Sequence, residues 1–213
     1  MTTAKTMAVS KADAGAAPAK IEGNDAGTGS DPAAGREAGM TPSVTAAAEE
    51  EPATGLPAGR FSGRLAFAQG IRDALATAAR EGWSEIVLSD ADFGDWPLAE
   101  RVVVESLTAW SASGRRCTLL ARHFDAVMRN QARFVRWRGL WSHIIEAHRC
   151  GDADAFELPS AIWSPHWALQ RLDIERSVGW SGNDPERRVA LREALRHWLH
   201  KSSPAFPATT LGL

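Results

Sequence analysis

The chain has no tyrosine, and its first 60 residues contain no aromatic side chain. All nine tryptophans and all seven phenylalanines lie at or after Phe61. A packed core needs large apolar side chains, so the opening 60 residues cannot build one. The sequence therefore predicts a single folded domain over residues 61–213, which is a common domain size.

Other absences exclude whole classes of protein. The mean hydropathy is −0.25, and no apolar run approaches the roughly 18–20 residues of a membrane-spanning helix. Two cysteines, Cys117 and Cys150, are too few for a disulfide scaffold, and their spacing matches no zinc motif. A net charge of −2 argues against a globally basic nucleic-acid binder. We expect a cytoplasmic protein with no cofactor and no membrane partner.

The opening segment is predicted to be a disordered tail. Residues 1–60 hold sixteen Ala, eight Gly, five Pro and ten Ser or Thr. This composition buries too little apolar surface to offset about 1–2 kcal/mol of backbone entropy per ordered residue. The tail also lacks the apolar stretch of a signal peptide, and its first arginine, Arg36, follows several acidic residues, unlike a transit peptide. Met40 is an alternative start that would remove residues 1–39.

Hydrophobic periodicity predicts an α/β fold. Apolar residues at three- and four-residue spacing indicate a helix from Arg64 to Glu81, with Ser62 as N-cap and Gly82 as its stop. A strand, a helix capped by Asp95 and a second strand follow, which is typical of a βαβ unit with parallel strands. The second strand of this unit covers residues 116–121. The other predicted elements are a third helix from about residue 124 to 130, a strand at 143–148, a hairpin of 168–173 with 176–180 (or a helix at 168–173), and a last helix capped by Asp184. We expect a mostly parallel sheet of four or five strands flanked by helices.

An acidic loop follows the first predicted strand, which covers residues 85–89. Ligands of open α/β sheets bind at the carboxyl ends of strands, so Asp90 and Asp92 are possible ligands of a divalent cation. The alternative is structural: Asp90 and Asp92 shape turns while Asp95 caps the next helix. The structural interpretation is favoured, because it explains these residue types without a further assumption.

A basic segment interleaved with aromatic residues is a second possible site. Residues 115–149 contain eight arginines and two acidic residues, a net charge of +6. Arginines hold phosphates and aromatic rings stack bases, as single-stranded nucleic acid requires. The possible polyanion-binding residues are Arg129, Arg133, Arg136, Arg138, Trp137 and Trp141. In the alternative, the preceding acidic segment 81–105, with net charge −6, neutralises this block, and the two tryptophans pack into the core.

The third feature is the segment from Pro165 to Asp173. It contains His166 and Asp173 at the spacing of the H-x-K-x-x-x-x-D motif, with Ala168 at the lysine position. In this respect the sequence resembles the phospholipase D superfamily. A Gly-Trp-Ser-Gly-Asn stretch at 179–183 lies roughly where that family has a Gly-Ser-x-Asn turn, in a different register. The predicted order of helix, β-α-β-α-β and hairpin over residues 61–202 is also similar to one half of that family's fold.

The resemblance implies a fold more than an activity. In the family the histidine attacks phosphorus, the lysine clamps the phosphate, and two motif copies act together. Here Ala168 replaces the lysine and no second copy exists. The resemblance therefore implies a non-catalytic domain, and a hydrolase using His166 and Asp173 with Arg171 in place of the lysine is the weaker alternative.

A second resemblance concerns three short sequence segments of the folded region. They resemble segments of uncharacterised bacterial proteins of similar length, and this likeness implies no particular activity. The segments are Asp95–Leu98, Phe134–Arg138 and the apolar C-terminal segment Pro204–Leu213.

The sequence leaves three functions open. The leading hypothesis is a non-catalytic binding or regulatory module whose partner is a protein or a second copy of the chain. The alternatives are nucleic-acid or polyanion binding through residues 129–141, and a phosphodiesterase-like hydrolase with a degenerate active site. The apolar C-terminal segment either packs onto the domain or is offered to a partner as an extended peptide.

Overall fold

The computed structural model describes residues 55–112, 115–154 and 156–207. Most of the predicted disordered tail of residues 1–60 lies outside the described residues, as do the alternative start at Met40 and the last six residues of the C-terminal segment. Residues 55–60 of that tail are described, and Gly59 and Arg60 belong to a strand. None of the helices in the described ranges combines the length and apolar character needed to cross a membrane.

The described chain contains eight strands, five α-helices and one 3-10 turn; helices separate the first four strands, and the next three strands follow the fourth without a helix. The strands are β1 (Gly59–Ser62), β2 (Glu85–Asp90), β3 (Arg116–Ala121), β4 (Ile145–Arg149), β5 (Ser160–Trp163), β6 (Ala168–Asp173), β7 (Val178–Gly182) and β8 (Ser203–Pro204). The helices are α1 (Arg64–Glu81), α2 (Arg101–Ser111), α3 (Asp125–Asn130), α4 (Ala132–Leu140) and α5 (Pro185–His200).

All eight strands form one mixed sheet in the order β1-β7-β6-β5-β2-β3-β4-β8. Only β2, β3 and β4 are mutually parallel, joined through helices as the βαβ prediction requires. The other pairs are antiparallel, including the predicted hairpin of β6 with β7. The expectation of a mostly parallel sheet of four or five strands was therefore wrong, because β1, β5 and β8 add to its antiparallel parts.

Helix α1 has the predicted bounds but a different N-terminus. Its N-cap is Gly63, at φ 94°, and no side chain caps it. The predicted cap, Ser62, lies instead in β1, which pairs with β7. The C-terminus follows the prediction: Gly82 adopts the left-handed conformation at φ 72°, and its N–H donates to the carbonyl of Ala78.

The predicted cap of α2 is wrong, whereas that of α5 is present. Asp95 does not cap α2, because a 3-10 turn at Pro97–Ala99 intervenes and the helix begins at Arg101. Helix α5 begins as predicted, since the side chain of Asp184 accepts the N–H of Arg187 at 2.8 Å.

The core occupies both faces of the sheet. Helices α1 to α4 bury one face through residues such as Ile71, Leu107 and Phe134. Helix α5 packs on the other face with Leu191 and Leu195. The acidic loop leads from the C-terminal end of β2 toward α2, and part of the basic segment leads from the C-terminal end of β3 into α3. Both connections therefore leave the sheet at the same edge.

Candidate functional site

A buried arginine occupies the C-terminal end of β2. Arg171, on β6, is 3% exposed, and its Nη2 lies 3.1 Å from Oδ1 of Asp90. Its Nη1 donates to Oδ2 of Asp95 at 2.6 Å, and its Nε donates to Oγ of Ser160 at 3.1 Å. The guanidinium carbon also lies 4.2 Å from the centre of the Phe67 ring. Arg171 is therefore fully engaged by two carboxylates, a hydroxyl and an aromatic face.

The acidic loop makes the contacts of a turn. Oδ2 of Asp90 accepts the N–H groups of Asp92 and Phe93, at 3.2 and 2.9 Å. Oδ1 of Asp92 accepts the N–H of Gly94 at 2.7 Å. In the described ranges, no group of three or more His, Cys, Asp or Glu side chains is placed to hold a metal ion. Asp90 and Asp92 thus shape the turn, whereas Asp95 binds Arg171 instead of capping a helix.

The residues of the phospholipase D-like motif are far apart. His166 is exposed and precedes β6; its ring centre lies 6.1 Å from that of Trp83. Ala168 is fully buried in the strand. Asp173 ends the strand, and its Oδ1 accepts the N–H of Arg176 at 2.9 Å. At about 3.3 Å per strand residue, roughly 20 Å separates His166 from Asp173, so the described chain does not bring them into one cleft.

Three of the six predicted polyanion-binding residues form an exposed group. Arg129 lies in the last turn of α3. Arg133 and Arg136 lie three residues apart on α4, a spacing that places these two on one helix face. We call these three residues the arginine ridge. All three are exposed, and Nη1 of Arg133 donates to the carbonyl of Ala99 at 3.2 Å. None of them forms an ion pair within the described residues.

The other three predicted residues are not part of that surface. Trp137 is 2% exposed and packs with Phe134, their ring centres 5.2 Å apart. Trp137 is therefore a core residue, as the alternative interpretation of its spacing proposed, and it cannot stack on a base. Arg138 is 7% exposed. Trp141 is half-buried at the end of α4, with its ring centre 5.8 Å from that of His143.

The acidic segment 81–105 is neutralised by arginines outside the basic segment. Asp92 is the exception, since its carboxylate shapes the turn. The other six carboxylates form ion pairs: Glu81 with Arg80, Glu85 with Arg192, Asp90 with Arg171, Asp95 with Arg171 and Arg64, Glu100 with Arg72, and Glu105 with Arg101. The alternative in which the acidic segment neutralises the basic one does not apply to Arg129, Arg133 and Arg136, which form no ion pair with it among the described residues.

The two thiols offer no activated nucleophile. Cys117 is fully buried in β3, and burial raises its pKa to about 12. Burial also raises the pKa of Cys150 to about 11. Both side chains are thus protonated near neutral pH, and Cys117 is the small core residue that its apolar strand predicts.

Comparisons with known proteins show a fold and not a family. No protein-family model matches this chain, and no curated protein matches it in sequence. NucT from Helicobacter pylori is similar over 70% of this chain and 99% of its own, at 7% identity and a TM-score of 0.47. TrmBL2, an archaeal chromatin protein with a novel mode of DNA binding, is similar over 70% of this chain, at 13% identity and a TM-score of 0.50. The matched region is 55% of that TrmBL2 chain, so what the comparison shows is a fold that this chain shares with part of TrmBL2.

Proposed function

We propose that this chain is a non-catalytic binding domain for a polyanion, single-stranded nucleic acid being the first example to test. One observation carries the proposal: the arginine ridge presents three exposed guanidinium groups, while the neighbouring acidic segment pairs with arginines from other elements. An exposed row of unpaired cations attracts phosphates through counterion release.

The contacts of the motif residues support the absence of catalysis. Ala168 supplies no cation for a phosphate, and Arg171, the alternative cation, is held by Asp90 and Asp95. The carboxylate of Glu81 interacts electrostatically with His166, but its two oxygens accept hydrogen bonds from Arg80 and Trp83. Within the described residues no carboxylate forms an ion pair with the imidazole to orient it for attack. Catalysis by this motif would need a group that these residues do not supply.

The size of the ridge predicts weak and salt-sensitive binding. Three phosphate contacts by exposed arginines correspond to non-specific association, with a Kd on the order of 10–100 µM at physiological salt. Trp141, the C-cap of α4, is half-buried with its ring beside His143, so the proposal does not rely on base stacking. The likeness to TrmBL2 concerns the fold, and its DNA binding is only the reason to begin with DNA. A protein partner or a second copy, also expected from the sequence, stays a prediction.

The proposal is tested by fluorescence anisotropy of a labelled 20-nucleotide oligo-dT at low salt. The test variant is Arg129→Ser/Arg136→Ser, which removes two ridge arginines that make no contact across the fold. The matched control is Arg60→Ser/Arg176→Ser, which removes the same charge from two exposed arginines that form no ion pair in the described chain. Two exposed contacts of about 0.7 kcal/mol each predict about tenfold weaker binding by the test variant.

The control variant should bind within about twofold of the unmodified chain, because its arginines lie away from the ridge. Equal weakening by both variants would mean that only the overall charge matters. If the unmodified chain does not change the anisotropy of the labelled oligo-dT at low salt, the proposal is wrong.

A further inference from the structure

A groove lies between β4 and the C-terminal segment that follows α5. Its volume is about 600 Å³, and it is open to solvent on one side. Apolar groups of Ile145, Ala147, Pro204 and Ala205 form much of its wall. The short strand β8 pairs with the end of β4, and the N–H of Ala205 donates to the carbonyl of Ala147 at 2.9 Å, so in the described chain only the part of β4 before Ala147 has no partner on that side.

One charged side chain lines this groove without a hydrogen-bond partner among residues 55–112, 115–154 and 156–207. Arg138 is 7% exposed, and its Nε and Nη1 atoms are buried and have no such partner there. Its contact with the fold is aromatic, since its guanidinium carbon lies 5.5 Å from the centre of the Phe206 ring. A buried cation without a carboxylate is costly, so its retention calls for a ligand or a structural role.

The neighbouring groups do not supply the missing anion. The Cys117 thiol, on the adjacent strand β3, is protonated near neutral pH because burial raises its pKa to about 12. Glu146 is the carboxylate that lines the groove, but its side chain is 62% exposed and lies 3.8 Å from Nε2 of His148. The desolvation of Arg138 lowers its pKa, and no described carboxylate opposes that effect.

We propose that this groove is a binding site for an organic carboxylate, with the charged end on Arg138 and the apolar body against Ile145, Ala147 and Ala205. A planar guanidinium matches a carboxylate in shape as well as charge, and an apolar wall favours a hydrocarbon body over inorganic phosphate. The site is separate from the arginine ridge, whose side chains face solvent. It therefore does not depend on the proposed function.

The same chemistry has two possible sources. One is a free small organic acid. The other is the terminal carboxylate of an extended peptide that adds to the unpaired part of β4, with main-chain hydrogen bonds to the strand. Both place a carboxylate on Arg138, and the length of the bound chain distinguishes them.

The first experiment compares hexanoate with hexanamide on the unmodified full chain by thermal unfolding. The two compounds have nearly the same shape, and only the acid is charged. At a concentration about tenfold above its Kd, hexanoate should raise the Tm by about 2–5 °C, and hexanamide at the same concentration should not. Equal shifts by both compounds, or none by either, would overturn the proposal without any variant.

The second experiment uses Arg138→Met, with Arg149→Met as the matched control on the exposed end of β4. Arg138→Met should lose the response to hexanoate and unfold at a Tm about 2–4 °C higher than the unmodified chain, because a buried unpaired charge is gone. Arg149→Met should keep the response. A full response by Arg138→Met, or a Tm below that of the unmodified chain, would show that Arg138 serves packing with Phe206 instead.

A third measurement identifies the source of the carboxylate. A five-residue apolar peptide with a free C-terminus is compared with hexanoate and with the same peptide amidated at its C-terminus. Tighter binding of the free peptide than of hexanoate would support a chain terminus as the ligand, and equal or weaker binding would support a small acid. Equal binding of the free and amidated peptides would contradict the assignment of Arg138 as the carboxylate partner.

Discussion

Replacing Arg171 by methionine removes the most deeply buried cation of the sheet. The side chains of Arg171 and Asp90 are 1% and 4% exposed, and their nearest atoms are 3.1 Å apart. Methionine keeps much of the apolar volume against Phe67 but leaves the Asp90 carboxylate without a cation. Breaking a buried ion pair from one side costs about 3–5 kcal/mol, and the lost contact with the Phe67 face adds to this. We expect Arg171→Met to lower the free energy of unfolding by about 4 kcal/mol.

Urea unfolding followed by tryptophan fluorescence measures this loss, and a double variant separates charge from packing. Arg171→Met/Asp90→Asn removes both charges, and Asn keeps an oxygen that can accept the N–H of Phe93, the contact that Asp90 makes at 2.9 Å. The double variant should recover about half of the lost free energy, because no uncompensated charge stays buried.

Two results would refute this reasoning. One is an Arg171→Met chain within about 1 kcal/mol of the unmodified protein, a value typical of exposed ion pairs. The other is a double variant that is no more stable than Arg171→Met alone. Either would mean that Arg171 is held by packing and not by its carboxylates.

Three further predictions concern other parts of the fold. Gly179→Ala should destabilise the chain by about 3 kcal/mol or more, because its Cβ would lie 2.1 Å from a main-chain carbonyl oxygen of β6; an unchanged urea midpoint would contradict this packing. Cys117 and Cys150, with pKa values raised by burial to about 12 and about 11, should resist a disulfide reagent at pH 8 and react at once in urea; rapid reaction of the folded chain would disprove their burial. The hydrogen bond from Arg72 lowers the pKa of Glu100 below its ordinary 4.5, so its stabilisation is present above that pH and is lost as the pH falls through the lowered value. Because Glu100 is 39% exposed, Glu100→Gln should remove only about 0.5 kcal/mol at pH 7, and this loss should shrink as the pH falls through the lowered pKa in urea unfolding at a series of acidic pH values; a loss that does not change with pH would contradict the pairing.

The sequence was enough to predict a helix end where a residue at that end forms the cap. Helix α5 begins at Asp184 because that side chain accepts a main-chain N–H three residues later, and α1 ends at Gly82 because glycine adopts positive φ there. The parallel strands β2 and β3 were found for the same reason, since each is a short apolar run next to a helix pattern.

Elements defined by their partners could not be predicted in this way. Strand β1 is almost entirely exposed and is held in the sheet by β7, and β8 is two residues long. Asp95 has the residue type of a helix cap, but Arg171, which lies 76 positions away along the chain, provides a stronger partner. Such contacts depend on tertiary structure, which propensity and periodicity do not contain.

The sequence predicted the arginine-rich segment of the candidate site, but not which of its arginines are exposed. The arginine-rich segment was evident from charge counting, but burial divides it, with Arg136 exposed and Arg138 enclosed by Phe206 from the C-terminal segment. Two arginines two residues apart on a helix face different directions, so their roles differ. The engagement of Arg171 by Asp90 and Asp95 was missed because it joins three separate elements.

The salt dependence of oligo-dT binding tests the central claim most directly. The slope of log Kobs against log salt concentration counts the phosphates that the protein neutralises, at roughly 0.7 per contact for single strands. We expect the slope of Arg129→Ser/Arg136→Ser to be smaller in magnitude than that of the unmodified chain by about 1.4, and the slope of Arg60→Ser/Arg176→Ser to be unchanged. Equal slopes for all three proteins would show that the arginine ridge does not contact the polyanion.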